Sequence, residues 1–245
     1  MTIVAAKGGL HMPALTTEPA LTALAPIAPR RSAAEAAYHA LREAVISLVL
    51  PPGAVVARAA IATRLGISQT PVREALIRLQ EERLIEVVPQ SATRVAPIDL
   101  ASAREAQFLR LSVELEILRR LAQAPNPALA VTLKAEVARM EAARAAGDEA
   151  GFVAADDAFH AALYAEAGVP RLRELVRSRS GHLDRLRRLH LPTPGKADTI
   201  LHEHAALAEA ILAGDAAAAE RHLRAHLSGT FAEVERLRAE APQFF

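Results

Sequence analysis

Between residues 57 and 84 two short runs with apolar stripes are separated by Gly66-Ile67-Ser68, and the second opens with Thr70-Pro71. Ile61, Ala62 and Leu65 recur at the spacing of one helix face. Gly66 follows where a helix turns left-handed to stop, a conformation glycine adopts without a Cβ penalty. The pattern predicts a second helix with Thr70 as its N-cap and Pro71 as its first residue, where the missing N–H costs nothing. Val72, Leu76 and Leu79 form its buried stripe, which leaves Ser68, Gln69, Thr70 and Arg73 at an exposed start. Two helices joined so tightly make a helix-turn-helix. The N-terminal end of its second helix enters the DNA major groove, where Arg can bond guanine twice and Gln adenine twice.

The flanks extend this unit. A helix is expected over 33–48, with Ala37, Leu41, Val45 and Leu48 at helical spacing, closed by Leu50-Pro51-Pro52-Gly53. Residues 84–88 and 93–96 read as two short strands joined through Pro89, Gln90, Ser91 and Ala92. Such a hairpin makes the helix-turn-helix a winged one. Arg94 and the turn at Ser91 then become second contacts, along the minor groove or backbone. From Arg30 to Val95 nine arginines face six glutamates, a mild basic excess suited to phosphate, although the whole chain carries a net charge of only +1.

The rest of the chain is helical in pattern. Only 3% of residues are aromatic, Trp is absent and Ala and Leu dominate, which favours helices packed through small side chains. Helices are expected over 99–123, with Phe108, Leu111, Leu115 and Leu118 on one stripe, and over 128–146, 149–167, 171–190, 198–213 and 216–239. The expected fold class is therefore mostly α. A winged helix-turn-helix over 30–98 is followed by an all-α helical-bundle ligand-binding domain over 99–240. Residues 1–29 read as a disordered leader, because Gly8, Gly9, His11, Pro13 and Pro19 interrupt every apolar run; that speaks against a signal peptide or membrane span. With no cysteine, disulfides and thiolate metal sites are excluded, and a reducing cytoplasm is compatible.

Any metal must therefore use histidine and carboxylate. Asp156 and His160 lie four apart within one expected helix and project from the same face. His204 shares the stripe of Leu207, Ala208 and Ile211, whereas His202 points nearly the opposite way. His226 shares a face with Ala219, His222 and Leu223, so His222 competes with it as the inward histidine, and Asp157 stands in for Asp156 if the register differs. The crowd of arginines from Arg171 to Arg188 reads mostly as a solvated face, with Arg177 singled out on helical position as a pocket residue.

The small domain resembles the winged helix of the GntR family of bacterial transcription regulators, over roughly 33–98. The motifs are Leu41-Arg42-Glu43-Ala44-Val45-Ile46, Leu50-Pro51-Pro52-Gly53, Gly66-Ile67-Ser68, Thr70-Pro71-Val72-Arg73-Glu74-Ala75-Leu76 and Leu84-Ile85. The helical remainder resembles the FCD ligand-binding domain of that family's FadR-like branch. That resemblance implies Asp156, His160, His204 and His226 as the ligands of a divalent ion (Zn, Ni, Mn or Fe), and Arg110 as a grip on the carboxylate of a small acid effector. It also implies a homodimeric cytoplasmic regulator, a repressor as the commoner form, binding double-stranded operator DNA. The departures are Gln69, where relatives often carry a basic residue, Ala59 and Ala60 in place of an acidic and basic pair, Ala92 in place of a wing glycine, and Val169 in place of an asparagine. Catalysis is not expected, since there is no HExxH motif and no further carboxylate placed as a general base.

Overall fold

The computed structural model describes residues 32–87 and 92–245. Helix α1 (Ala33–Ile46) is capped by Ser32, whose side chain accepts from the Glu35 N–H. Helices α2 (Arg58–Leu65) and α3 (Gln69–Glu81) follow, joined by Gly66 in the left-handed region at φ +66°. Helix α3 starts at Gln69 with Ser68 as its extended N-cap, not at Pro71 after Thr70. Proline fits there because every N–H of the first turn lacks a helical partner. Strands β1 (Ile85–Val87) and β2 (Thr93–Val95) pair antiparallel, Ile85 opposite Val95. Tyr38, Leu41, Val45, Val72, Leu79 and Leu84 build one core beneath these elements. The expected leader and the wing turn at Ser91 lie outside the described residues.

The second core belongs to a helical bundle made of α4 (Leu100–Gln123), α5 (Pro127–Ala145), α6 (Glu149–Glu166), α7 (Pro170–Arg179), α8 (Gly181–His190), α9 (Lys196–Leu212), α10 (Ala216–Ala232) and α11 (Val234–Glu240), with a 3-10 turn at Pro242–Phe244. Side chains of Asp99, Asn126, Asp148 and Asp215 cap four of these helices by accepting from backbone N–H groups. Leu118, Leu133, Met140, Phe159, Leu163 and Ile211 fill the centre. Among the described residues no helix is long and apolar enough to cross a membrane.

Four expectations need correction. On α4 the buried face is Ala103, Ala106, Arg110, Glu114, Ile117 and Leu121, while Phe108 is 74% exposed. Leu118 of the expected stripe is buried and Leu111 and Leu115 pack partly buried against the core, but the inward ion pair Arg110–Glu114 takes the place expected for Phe108. The run 171–190 is two helices broken at Ser180, whose hydroxyl returns to the Val176 carbonyl at 2.7 Å. The last run breaks at Glu233. The arginines of α7 and α8 are not mainly solvated: Arg185 is wholly buried and donates to the carbonyls of Ala96 at 2.8 Å and Pro97 at 3.3 Å.

That arginine is part of a junction that ties the winged helix to the bundle. Gly181 lies so close to Leu84 that a Cβ there would stand 2.7 Å from a leucine methyl. Beside it, His182 Nδ1 accepts the Asp99 N–H at 3.0 Å, so its proton sits on Nε2, which faces the Arg83 carbonyl at 3.1 Å. Burial and the Arg185 charge push the His182 pKa down to about 4. Protonation would set two donors against each other at Nδ1. Because the unfolded histidine binds its proton near pH 6.5, the junction contributes fully above that pH and is lost as pH falls toward 4. We predict that His182→Ala, by removing both hydrogen bonds, costs about 1–3 kcal/mol at pH 7, and that it leaves a shallower loss of stability between pH 6.5 and 4 than the wild-type protein shows, read from urea unfolding across pH.

Candidate metal centre and the DNA-reading helix

Asp156 and His160 sit one turn apart on α6, His204 comes from α9 and His226 from α10, and all four are buried. One ligand atom from each lies within 4.8 Å of all the others. The Nε2 atoms of His160 and His226 are 3.3 Å apart, and His204 Nε2 is 3.4 Å from Asp156 Oδ1. Acceptors on the far side of two rings fix their tautomers. His204 Nδ1 donates to the Ile200 carbonyl at 2.8 Å, and His226 Nδ1 to Glu203 Oε2 at 3.0 Å. Their Nε2 lone pairs therefore point inward.

Asp156 Oδ1 and His204 Nε2 are buried with no hydrogen-bond partner. Two bare acceptors facing each other in a dry bundle are unfavourable unless a positive charge lies between them. Three imidazole nitrogens and one carboxylate oxygen suit a borderline divalent ion such as Zn, Ni, Mn or Fe. The donor set fits a metal. The Phe159 ring, edge-on to His204 with centroids 4.4 Å apart, holds that imidazole in place.

A layer of charge surrounds these four. Glu114 Oε2 lies 3.1 Å from His160 Nδ1, and its other oxygen accepts from Arg110 Nε at 2.8 Å. Burial alone would raise the Glu114 carboxyl, but Arg110 and His160 hold it below the usual range. Asp156 likewise is buried, which alone would raise it, but is held low by Arg187, which donates to its Oδ2 at 2.6 Å. Burial and the neighbouring imidazoles depress His204 and His226, so both rings stay neutral, the state a ligand needs. Glu114, Glu203 and Arg187 were not foreseen; the Arg110–Glu114 spacing of four was the available sign of the first.

A cavity of about 380 Å³ opens beside this cluster. Asp156, His226, Thr230, Arg187 and Lys196 line it, as do Arg42, Glu43 and Ile46 of α1. Arg177 is on the cavity wall, whereas Arg110 is not among the residues lining it and is bound to Glu114. Asp157 turns away to Arg173 and to Arg177, the latter at 3.6 Å, and His202 is exposed. His222 lies outside the four-residue cluster.

At the other end of the molecule Ser68, Gln69, Thr70 and Arg73 are all exposed around the start of α3. Arg94 is half-buried and donates to the Gly53 carbonyl at 2.8 Å, which ties the wing to the loop after α1.

A winged helix-turn-helix joined to a helical bundle with a buried ligand-type site defines a DNA-binding transcription regulator. Residues 33–95 match the family described as "Bacterial regulatory proteins, gntR family", and residues 105–229 match the FCD domain. The chain belongs to the GntR family and carries an FCD domain. It is 36% identical to an HTH-type transcriptional regulator in an unstable DNA locus of Streptomyces ambofaciens, over 85% of this chain and 87% of that one. It is 26% identical to the HTH-type transcriptional repressor RspR of Escherichia coli K12, over 85% and 91%. Among solved structures, E. coli McbR/YncC shares the fold with a TM-score of 0.72 at 22% identity, covering 84% of this chain and 98% of that one.

Removing Arg110 strands a buried carboxylate. Arg110→Met should cost about 3–5 kcal/mol in urea unfolding of the metal-free protein, and adding Glu114→Gln should recover part of that loss.

Proposed function

We propose that this regulator is a homodimeric repressor whose grip on double-stranded operator DNA is modulated by a small carboxylic acid bound beside a divalent ion in the C-terminal domain. The convergence of Asp156 Oδ1 with three imidazole nitrogens, next to a cavity lined in part by α1 of the DNA-binding head, carries this reading. Asp156, His160, His204 and His226 hold the ion, which when bound supplies positive charge that attracts a carboxylate. The domain limits are those read from sequence, a winged helix over 30–98 and an effector and dimerisation domain over 99–240, and the protein works in the cytoplasm on DNA.

Arg73 reads a base edge, Gln69 a second one, and Ser68 and Thr70 position the helix on phosphate. Arg94 steadies the wing on the backbone. Arg177 stands on the cavity wall as an effector contact, while Arg110 acts from behind, by orienting Glu114 against His160. An acid changes operator affinity only through its different affinity for two arrangements of the head. Helix α8 supports such coupling: Arg187 bonds Asp156, while His182 and Arg185 of the same helix bond the head and the segment that leaves it.

Two measurements test the reading. Arg73→Ala should abolish specific operator binding in fluorescence anisotropy and leave metal content untouched; unchanged specific affinity would refute α3 as the reading helix. Elemental analysis of the untagged protein should give about one divalent ion per chain, lost in His204→Ala and kept in His202→Ala, as the chemistry of three imidazoles and a carboxylate requires. No ion in any of the three, even after loading with Zn, Ni or Mn, would make the cluster structural.

A further inference from the structure

Five cationic side chains line the cavity, and four of them are already matched. Arg42 is bound to Glu82 at 2.8 Å, Arg177 faces Asp157 at 3.6 Å, Arg187 holds Asp156 at 2.6 Å and Arg188 faces Glu43 at 3.6 Å. Lys196 has no carboxylate within 4 Å among the described residues. It is half-buried, and burial holds its ammonium below the usual lysine range. It is also the first residue of α9, where the helix dipole disfavours a cation. Glu203, Asp156 and Glu233 attract the charge from a distance, but none comes within 4 Å of it.

The neighbouring helix makes room for it. Gly229 lies inside α10, three residues after His226 and beside Thr230, and a Cβ on it would stand 3.1 Å from Lys196 Nζ. A helix interior penalises glycine, so this one is best explained by the ammonium that rests against it. Lys196 thus has its Nζ against Gly229 and lines the same cavity as Asp156, Thr230 and Arg187.

We infer that Lys196, together with Arg187, is the anion grip of the effector cavity. Ile46, Phe152, Val153 and Leu191 line the same cavity and present apolar surface to the body of the acid. An acid with a hydroxyl near its carboxylate gains a further partner in Thr230, whose hydroxyl lies 3.3 Å from His190 Nδ1. This inference rests on the effector reading of the same cavity.

The test is calorimetric titration of zinc-loaded protein with L-lactate and D-gluconate as monocarboxylates and with L-malate and L-tartrate as diacids, repeated on metal-free protein, with zinc measured by elemental analysis. At least one of the four acids should bind to the wild-type protein. Lys196→Met should weaken that binding about tenfold or more, the loss of one charge-assisted contact, without lowering zinc content or the thermal midpoint of the acid-free protein. Lys196→Arg should restore part of the affinity. Equal affinity in Lys196→Met, or no binding by any of the four acids, would overturn the inference. Failure of the wild-type protein to take up zinc would count against the metal reading alone, since the metal-free titrations still decide the role of Lys196.

Discussion

Bare acceptors facing one another in the middle of the bundle are the constraint to which the surrounding residues answer. Asp156 Oδ1 and His204 Nε2 stand 3.4 Å apart, each without a donor, and His160 and His226 bring two more imidazole nitrogens to the same point. An apolar core of the same volume would be simpler to fold, because buried ionic groups seldom repay their desolvation. The charges around the cluster make sense as compensation. Arg187 neutralises the outward oxygen of Asp156, and Arg110 fixes Glu114 against His160. Glu203 orients His226 from the opposite side. Second contacts of this kind set ring orientation and ligand basicity.

The same chain of contacts reaches the DNA-binding head. Helix α8 is only ten residues long, yet Arg187 touches a proposed metal ligand while His182 and Arg185 hold backbone groups at Arg83, Ala96, Pro97 and Asp99. Arg83 follows α3 directly and adopts a left-handed conformation at φ +60°. Its carbonyl is the one that faces His182. A displacement of α8 would therefore be felt within a few residues of the reading helix. Close packing at Gly181 against Leu84 makes that transmission stiff, since there is no slack for α8 to take up before the head must move.

Much of this was legible in the sequence, for identifiable reasons. The left-handed stop at Gly66 and the stripe Val72, Leu76 and Leu79 follow from backbone sterics and helix period. The inward pointing of His204 against the exposure of His202 follows from the same period. What failed were the polar residues that turned inward. Phe108 looked like core and is exposed because Arg110 and Glu114 took the buried face, which hydropathy alone assigns to solvent. Arg185 looked solvated and is fully buried, satisfied by carbonyls far away in sequence. The break at Ser180 depends on one hydroxyl choosing the Val176 carbonyl, an option many serines in helices do not take. Lys196 carried no signal, because its meaning lies in the absence of a partner.

The energies involved suit a switch of modest size. Coupling between an effector and DNA typically amounts to about 1–3 kcal/mol, the scale of one or two hydrogen bonds to charged groups. In the proposed function, an acid entering beside Lys196 would offer its carboxylate to Arg187 as an alternative to Asp156. Exchange of that single bond would alter how firmly Arg187 anchors α8. No large rearrangement of the bundle is required, which agrees with a core in which Phe159, Leu163 and Ile211 are fully buried and leave little room for repacking. The head would respond under that proposal because α8, which carries Arg187, also supplies part of the backbone clasp that fixes the head's orientation.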